Sequence, residues 1–156
     1  MSVESVKSLF EKEGLSRLVH YSDIVSDTVE TAASMIGCMP AQILKTMTFI
    51  VNDKPIAIAL SGDMKIDNSK YNKYFGVKAK MIPFDLVESI TGHIPGGVCP
   101  FACNENVKVY LDESLKRFDV VYSGGGDEHN TVEVTIPILE KLSKYEAWID
   151  VSKSKQ

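Results

Sequence analysis

Between Gly92 and Phe101 the chain reads Gly-His-Ile-Pro-Gly-Gly-Val-Cys-Pro-Phe. Three glycines and two prolines in ten residues exclude a helix or a regular strand. What remains is a surface turn or a shaped stretch of backbone that forms a pocket. Pro95 and Pro100 stiffen the loop by fixing φ. Gly96 and Gly97 leave the backbone open to close approach by a ligand. Rigid N–H groups presented this way suit an ester or amino-acid moiety and can hold an oxyanion. The loop has neither a Walker lysine nor a GxGxxG spacing, so it is not a standard nucleotide cradle.

Two further stretches carry reactive groups. Gly124-Gly-Gly-Asp-Glu-His-Asn130 places His129 beside Asp127, Glu128 and Asn130. There it is a general base, a hydrogen-bonding partner of a substrate, or an exposed loop histidine. Lys45 stands in Gln42-Ile-Leu-Lys-Thr-Met-Thr-Phe49, with apolar neighbours on both sides. Such a lysine either snorkels to solvent or points into a cleft as a cation for a phosphate or a developing oxyanion. No GxSxG elbow supplies a serine nucleophile. The three cysteines are an odd number and cannot form a complete disulfide set. Cys99 and Cys103 with His93 lack the spacing of a zinc site, so neither metal nor cofactor is expected. A thiol hydrolase built on Cys99 with His93 or His129 is the remaining nucleophilic alternative.

These groups sit in a chain of 156 residues, read as one domain over residues 1–156, with 44% apolar and 24% charged residues. The net charge of −4 argues against a broadly basic nucleic-acid-binding surface. One stretch departs from that balance. From Lys65 to Lys80 there are five lysines (Lys65, Lys70, Lys73, Lys78 and Lys80) against Asp67 alone, a local charge of +4. It is either a solvated face or a patch that meets phosphates. No apolar run approaches the ~20 residues of a membrane span. The opening MSVESVKSLFEKEG lacks a signal-peptide core, so a soluble, cytoplasmic protein with no membrane partner is expected.

The elements that must position these groups follow from patterning. Val3, Val6, Leu9 and Phe10 mark a first helix stopped by Gly14, and residues 20–26 read as extended. Asp27-Thr-Val-Glu30 has the form of a capping box for a second helix that ends at Gly37. Thr46–Val51 and Pro55–Leu60 flank Asn52-Asp53-Lys54 as a hairpin. Short helices are expected over 67–75, 85–90 and 113–118, and strands over 77–82, 107–111, 119–123 and 131–136. Pro137 opens a last helix. The sum is an α+β fold: a mixed, mainly antiparallel, barrel-like sheet with short flanking helices.

Taken in order, the pieces resemble the YbaK/ProX/EbsC family of aminoacyl-tRNA editing deacylases, related to the insertion domain of bacterial prolyl-tRNA synthetases. Thr31-Ala-Ala to Gly37, then Gln42-Ile-Leu-Lys45-Thr46, is similar to the family's "AA…G…QI.KT" segment. Leu60-Ser-Gly-Asp63 with Lys65-Ile-Asp67 is similar to "GD..VD", and Thr91-Gly92 with Gly96-Gly97-Val98-Cys99-Pro100-Phe101 to "TG…GGvsPfG". Val109-Tyr-Leu-Asp112 and Ser123-Gly124-Gly125 fit later strands of the pattern. The ordered set specifies the family rather than the substrate. The resemblance implies a YbaK-like fold that hydrolyses the ester between a wrong amino acid and the tRNA 3′ end, with Cys- or Ala-tRNA(Pro) as the implied substrate. It implies Lys45 as the pocket cation, and Thr46, Gly96, Gly97, Val98, Cys99, Pro100 and Gly124 around the substrate. Water, or the thiol of a cysteinyl substrate, would attack. His129 lies near a loop where some members place a histidine and is a candidate catalytic residue. Mischarged tRNA is the implied partner, with the five lysines on its backbone and prolyl-tRNA synthetase as a candidate docking partner. The alternative is a non-catalytic module that binds tRNA or a synthetase on the same fold. Two departures stand out: Ala102 replaces the usual glycine after Pro-Phe, and Cys99 fills a slot that often holds serine.

Overall fold

The computed structural model describes residues 2–25 and 28–155. Helix α1 (Ser2–Lys12) turns Val6 and Phe10, four apart, inward, and both are fully buried. The chain then enters strand β1 (Val19–Tyr21). Helix α2 (Val29–Ile36) is capped by Thr28, whose Oγ1 accepts the Thr31 N–H at 3.0 Å, and Gly37 ends it in the left-handed region. The cap is therefore Thr28, and Asp27 of the expected capping box lies outside the described residues. Strands β2 (Ile43–Val51) and β3 (Lys54–Ser61) form the expected hairpin. Its turn residues Asn52 and Asp53 both have positive φ (50° and 66°), as a two-residue turn matching the strand twist requires.

Strand β4 (Met64–Ile66) leads to α3 (Asn68–Phe75), whose N-cap Asp67 accepts the N–H groups of Ser69 and Lys70. A 3-10 turn at Phe84–Leu86 leads into α4 (Val87–Thr91). After the glycine-proline loop come β5 (Lys108–Asp112), β6 (Val120–Gly124), β7 (Asn130–Thr135) and α5 (Ile136–Ser143), with Pro137 in the first turn of α5. Two three-residue strands close the chain, β8 (Ala147–Ile149) and β9 (Ser152–Ser154).

Seven strands pair in the order β1-β7-β6-β2-β3-β5-β8, and β4 pairs with β9 in a separate ribbon. The β1–β7, β7–β6, β2–β3 and β4–β9 pairs are antiparallel; β6–β2, β3–β5 and β5–β8 are parallel. The fold is thus α+β with a mostly antiparallel mixed sheet. The strand order is linear, with β1 and β8 at its ends among the described residues. One face of the sheet, with Leu44, Ala57, Ala59, Val109 and Leu111, packs on α1, α5 and Phe101 of the loop. The other, with Phe49, Ile56, Ile58 and Tyr110, packs on Tyr71 and Phe75 of α3.

Three strands were not anticipated. β4, β8 and β9 have three residues each and exist only through remote partners. Asp112, fully buried, ties them in: its carboxylate accepts the N–H groups of Ser114 and Val151 and the Ser152 hydroxyl (2.6 Å). The strand expected over 77–82 is instead an extended segment touching β2 through one bridge, Phe49 to Met81.

Ala102 holds φ at +56°. The loop therefore keeps, with a side chain, the left-handed geometry that glycine adopts freely. Ala102→Gly should stabilise the fold by about 0.5–1 kcal/mol, the relief of αL strain exceeding the added chain entropy. Thermal unfolding should show Tm rising by about 2 °C; an unchanged or lower Tm would contradict the strain.

Candidate active site

Strand β2 runs beside β3 for its whole length but beside β6 at only two positions, Ile43↔Tyr122 and Leu44↔Ser123. Further on, the same edge of β2 is met by the 80–82 segment: Ile50 N–H donates to Lys80 O (2.8 Å) and Ile82 N–H to Thr48 O (3.2 Å). Between these contacts no strand covers the edge among the described residues. Backbone groups alternate in direction along a strand. Since Thr48 and Ile50 direct theirs to this edge, Thr46 N–H and C=O face the gap. A cavity of about 550 Å³ occupies it. Its walls are the 43–48 stretch of β2, Val29, Ala32 and Ile36 of α2, Pro95, Gly96 and Val98 of the loop, and Tyr122, Ser123 and Gly124 of β6. Met81, Phe84 and Val87 form one lip, and Asp127 and Thr131 lie at another.

Lys45 lies on this wall, half-buried. It shares a face of β2 with Ile43, which packs on α2, and Met47, which packs toward α3. The two helices cover the flanks and leave its position open. Burial, and then the nearby Lys155, push the Lys45 ammonium down to about 8, against the opposing pull of Asp63 and Glu30. Asp63 is itself gripped by Arg117 at 2.7 and 3.1 Å. A Cβ on Gly62 would overlap the Pro40 carbonyl, and Gly62 N–H donates to Ile43 O at 2.7 Å. This glycine lets the turn carrying Asp63 lie against the chain entering β2. The Thr46 hydroxyl is buried without a hydrogen-bond partner among the described residues.

The opening loop is held from behind. His93 is fully buried, with Nε2 2.6 Å from Phe101 O and Nδ1 2.6 Å from Ser2 Oγ. A carbonyl can only accept, so Nε2 carries the proton and Nδ1 accepts from Ser2. Burial lowers the His93 pKa and keeps the ring neutral. A Cβ on Gly97 would overlap the Gly126 carbonyl, and one on Gly126 would meet the backbone of Ser2. These glycines permit backbone-to-backbone packing of the two loops and α1.

Of the residues singled out from sequence, Lys45, Thr46, Gly96, Val98 and Gly124 line the cavity. Gly97, Cys99 and Pro100 do not: all are buried behind it, Gly97 against Gly126 and Cys99 in the core beside Phe101. Burial pushes the Cys99 thiol far up, which removes the thiol-hydrolase alternative. His129 is also off the cavity wall. Its Nδ1–H donates to Ser22 O (2.9 Å), its carbonyl accepts Ser22 N–H, and its ring stacks on Tyr21, so it fixes the exit of β1. Lys65, Lys73, Lys78 and Lys80 are exposed, whereas Lys70 binds Asp150 (3.1 Å) and Ser152 O (2.7 Å) and tethers α3 to the C-terminal strand. Sequence reasoning missed Asp127, Tyr122, Ser123 and the α2 face. Only the small residues of Thr31-Ala-Ala hinted at a helix packed close to a site.

With this geometry in view, relatives become informative. The aminoacyl-tRNA editing domain matches residues 25–142. The chain belongs to that family. It is 40% identical over 154 residues to the uncharacterized protein YwhH of Bacillus subtilis, covering 98% of each. It is 30% identical over 107 residues to proline–tRNA ligase of Aquifex aeolicus, a match spanning 67% of this chain and 18% of the ligase. The crystal structure of a candidate trans-editing enzyme for prolyl-tRNA synthetase superposes with a TM-score of 0.87 at 25% identity, covering 98% of both chains.

The His93 arrangement carries a pH signature. The folded value lies below the unfolded one, so its stabilisation is complete above the unfolded value of about 6.5 and is lost as pH falls from there toward the folded value. Tm should decline as pH drops from about 7 to about 5. His93→Gln should flatten that decline while costing about 2–4 kcal/mol at neutral pH, because Ser2 and Phe101 lose a buried partner. An equal slope in both proteins would remove His93 as its cause.

Proposed function

We propose that this protein is a trans-acting aminoacyl-tRNA editing hydrolase. It cleaves the ester joining a wrongly attached amino acid to the tRNA 3′ end, with Cys- or Ala-tRNA(Pro) as substrate. The observation that carries the proposal is Lys45, a half-buried cation on an apolar cleft beside the uncovered backbone of Thr46, in a family of aminoacyl-tRNA editing domains. Water attacks the ester carbonyl, negative charge gathers on its oxygen, and the C–O bond to the ribose breaks as the ribose oxygen takes a proton. Lys45 and the Thr46 N–H stabilise the oxyanion, in a site where partial desolvation strengthens both. The apolar face of α2 meets the acyl side chain. Burial alone would raise the Asp127 pKa, but hydrogen bonds from Asn130 and His129 hold it below its usual value. It is the ionised carboxylate suited to the α-ammonium of the substrate. Among the described residues no cysteine lies on the cleft wall, and the Ser123 hydroxyl donates to Gly124 O, which favours water as the nucleophile.

Cys-, Ala-, Ser- and Pro-charged tRNA(Pro) should be offered to the wild type and to Lys45→Ala. Release of Cys or Ala by the wild type should fall about 10²–10³-fold in the variant, with Tm unchanged. A folded Lys45→Ala protein with full turnover would sink the mechanism, and tRNA binding without release would leave a binding module. After subtraction of spontaneous hydrolysis, activity should decline as pH rises through about 8, where Lys45 loses its charge. Lys45→Arg, charged throughout, should abolish that decline.

A further inference from the structure

The cleft has two unlike lips. On one, Phe84 is 78% exposed and Met81 57% exposed, although both line the cavity. Two large apolar side chains standing in solvent at a site's mouth are not explained by packing. The segment carrying them is fixed to β2 by its bonds to Thr48 and Ile50, and it runs antiparallel to that strand. From the cavity it therefore leads toward the β2–β3 turn, passing Phe84, Met81, Lys80 and Lys78 in that order. Phe84 to Lys80 spans at most about 14 Å. Both lysines are exposed. Asp85 and Glu88 lie beyond Phe84 in the chain direction away from them.

The other lip is acidic. It carries Asp127, and beyond it exposed Tyr21 stacks on His129 and lines a neighbouring hollow together with Glu133. An exposed aromatic ring stands on each side of the cleft, Phe84 on its lip and Tyr21 in the neighbouring hollow, but among the described residues the cations Lys80 and Lys78 follow Phe84.

We propose that the Phe84–Met81 lip, continued by Lys80 and Lys78, receives the single-stranded nucleotides preceding the one that carries the amino acid. A base stacks on Phe84, and the backbone runs out over the two lysines. Aromatic stacking combined with a basic track is how single strands are held without sequence readout. This rests on the editing proposal for its biological substrate, but its test does not. The probe is a fluorescein-labelled, uncharged single-stranded RNA ending in CCA, compared with a blunt duplex of the same sequence. Wild-type protein should prefer the single strand. Phe84→Ser should weaken binding about tenfold without altering its salt dependence. Lys78→Gln with Lys80→Gln should lower the slope of log affinity against log salt by about 0.7 per lysine. Tyr21→Ser, in the neighbouring acidic hollow, should leave binding unchanged. The proposal is overturned if wild type shows no single-strand preference, if Phe84→Ser binds normally, or if Tyr21→Ser is the variant that loses binding. It also falls if Phe84→Ser retains RNA but loses association with prolyl-tRNA synthetase, which would make the lip a protein surface. Loss of RNA binding alongside absent deacylation would spare the lip and defeat the editing proposal, whereas Lys45-dependent deacylation with unchanged RNA binding in Phe84→Ser would do the reverse.

Discussion

Everything at the site depends on β2 losing its partner β6 after Leu44. A strand edge inside a protein must have its N–H and C=O groups paired or wetted. Here the edge is released at Thr46 and taken up again at Thr48 by the 80–82 segment. The interruption is bounded at both ends, so it is a fixed aperture rather than a frayed margin. It also explains why Lys45 can be half-buried. The neighbouring positions on its face are covered by α2 and α3, and its own position opens into the gap.

Two remote parts of the chain keep that aperture in shape. Behind it, Gly97 lies on Gly126 and Gly126 on Ser2, while His93 joins Ser2 to Phe101. The pocket loop, the triglycine loop and the start of α1 are therefore one packed unit. Beside it, the Asp112 carboxylate gathers Ser114, Val151 and Ser152, which seats β9 on β4. That pairing carries Lys155 to Lys45 and adds a like charge to the effect of burial. The C-terminal ribbon thus acts on the chemistry of the cleft through position alone.

Local features were readable where local physics decides them. The hairpin, the glycine-terminated helices and the proline-led last helix follow from turn chemistry and periodicity, and Lys45 was conspicuous as a cation among apolar residues. The failures share a cause, which is that their partners are distant in sequence. β4, β8 and β9 are too short to carry a pattern and are strands only because of what they pair with. Cys99 and Gly97 sit in a loop that looks ligand-facing, but only the fold reveals that their side of it meets Gly126 and the core. His129 has acidic neighbours that suggest catalysis, yet its Nδ1 and its carbonyl bond Ser22 and the residue lies off the cavity wall. A glycine placed for ligand access and one placed for backbone packing are identical in sequence.

That distinction bears on how such a cleft can be specific. The glycine-rich loop contributes Gly96 and Val98 to the wall, and the rest of it is locked by contacts that leave no room for a side chain at Gly97 or Gly126. A frame this constrained is poorly suited to vary from one substrate to another. The opposite wall is different in kind. Val29, Ala32 and Ile36 project from one face of a short helix anchored by Thr28 and Gly37, where side chains rather than backbone meet the cleft, although Val29 also packs on Gly62 and the helix on Ile43 and Tyr122. If the cleft accepts an aminoacyl ester, the glycine loop and the β2 edge hold the common ester, while α2 sets how large a side chain can lie beside it. Small residues at positions such as Ala32 then favour room for the acyl group, and enlarging them would exclude it by volume, a discrimination of about 1–3 kcal/mol per methylene at best.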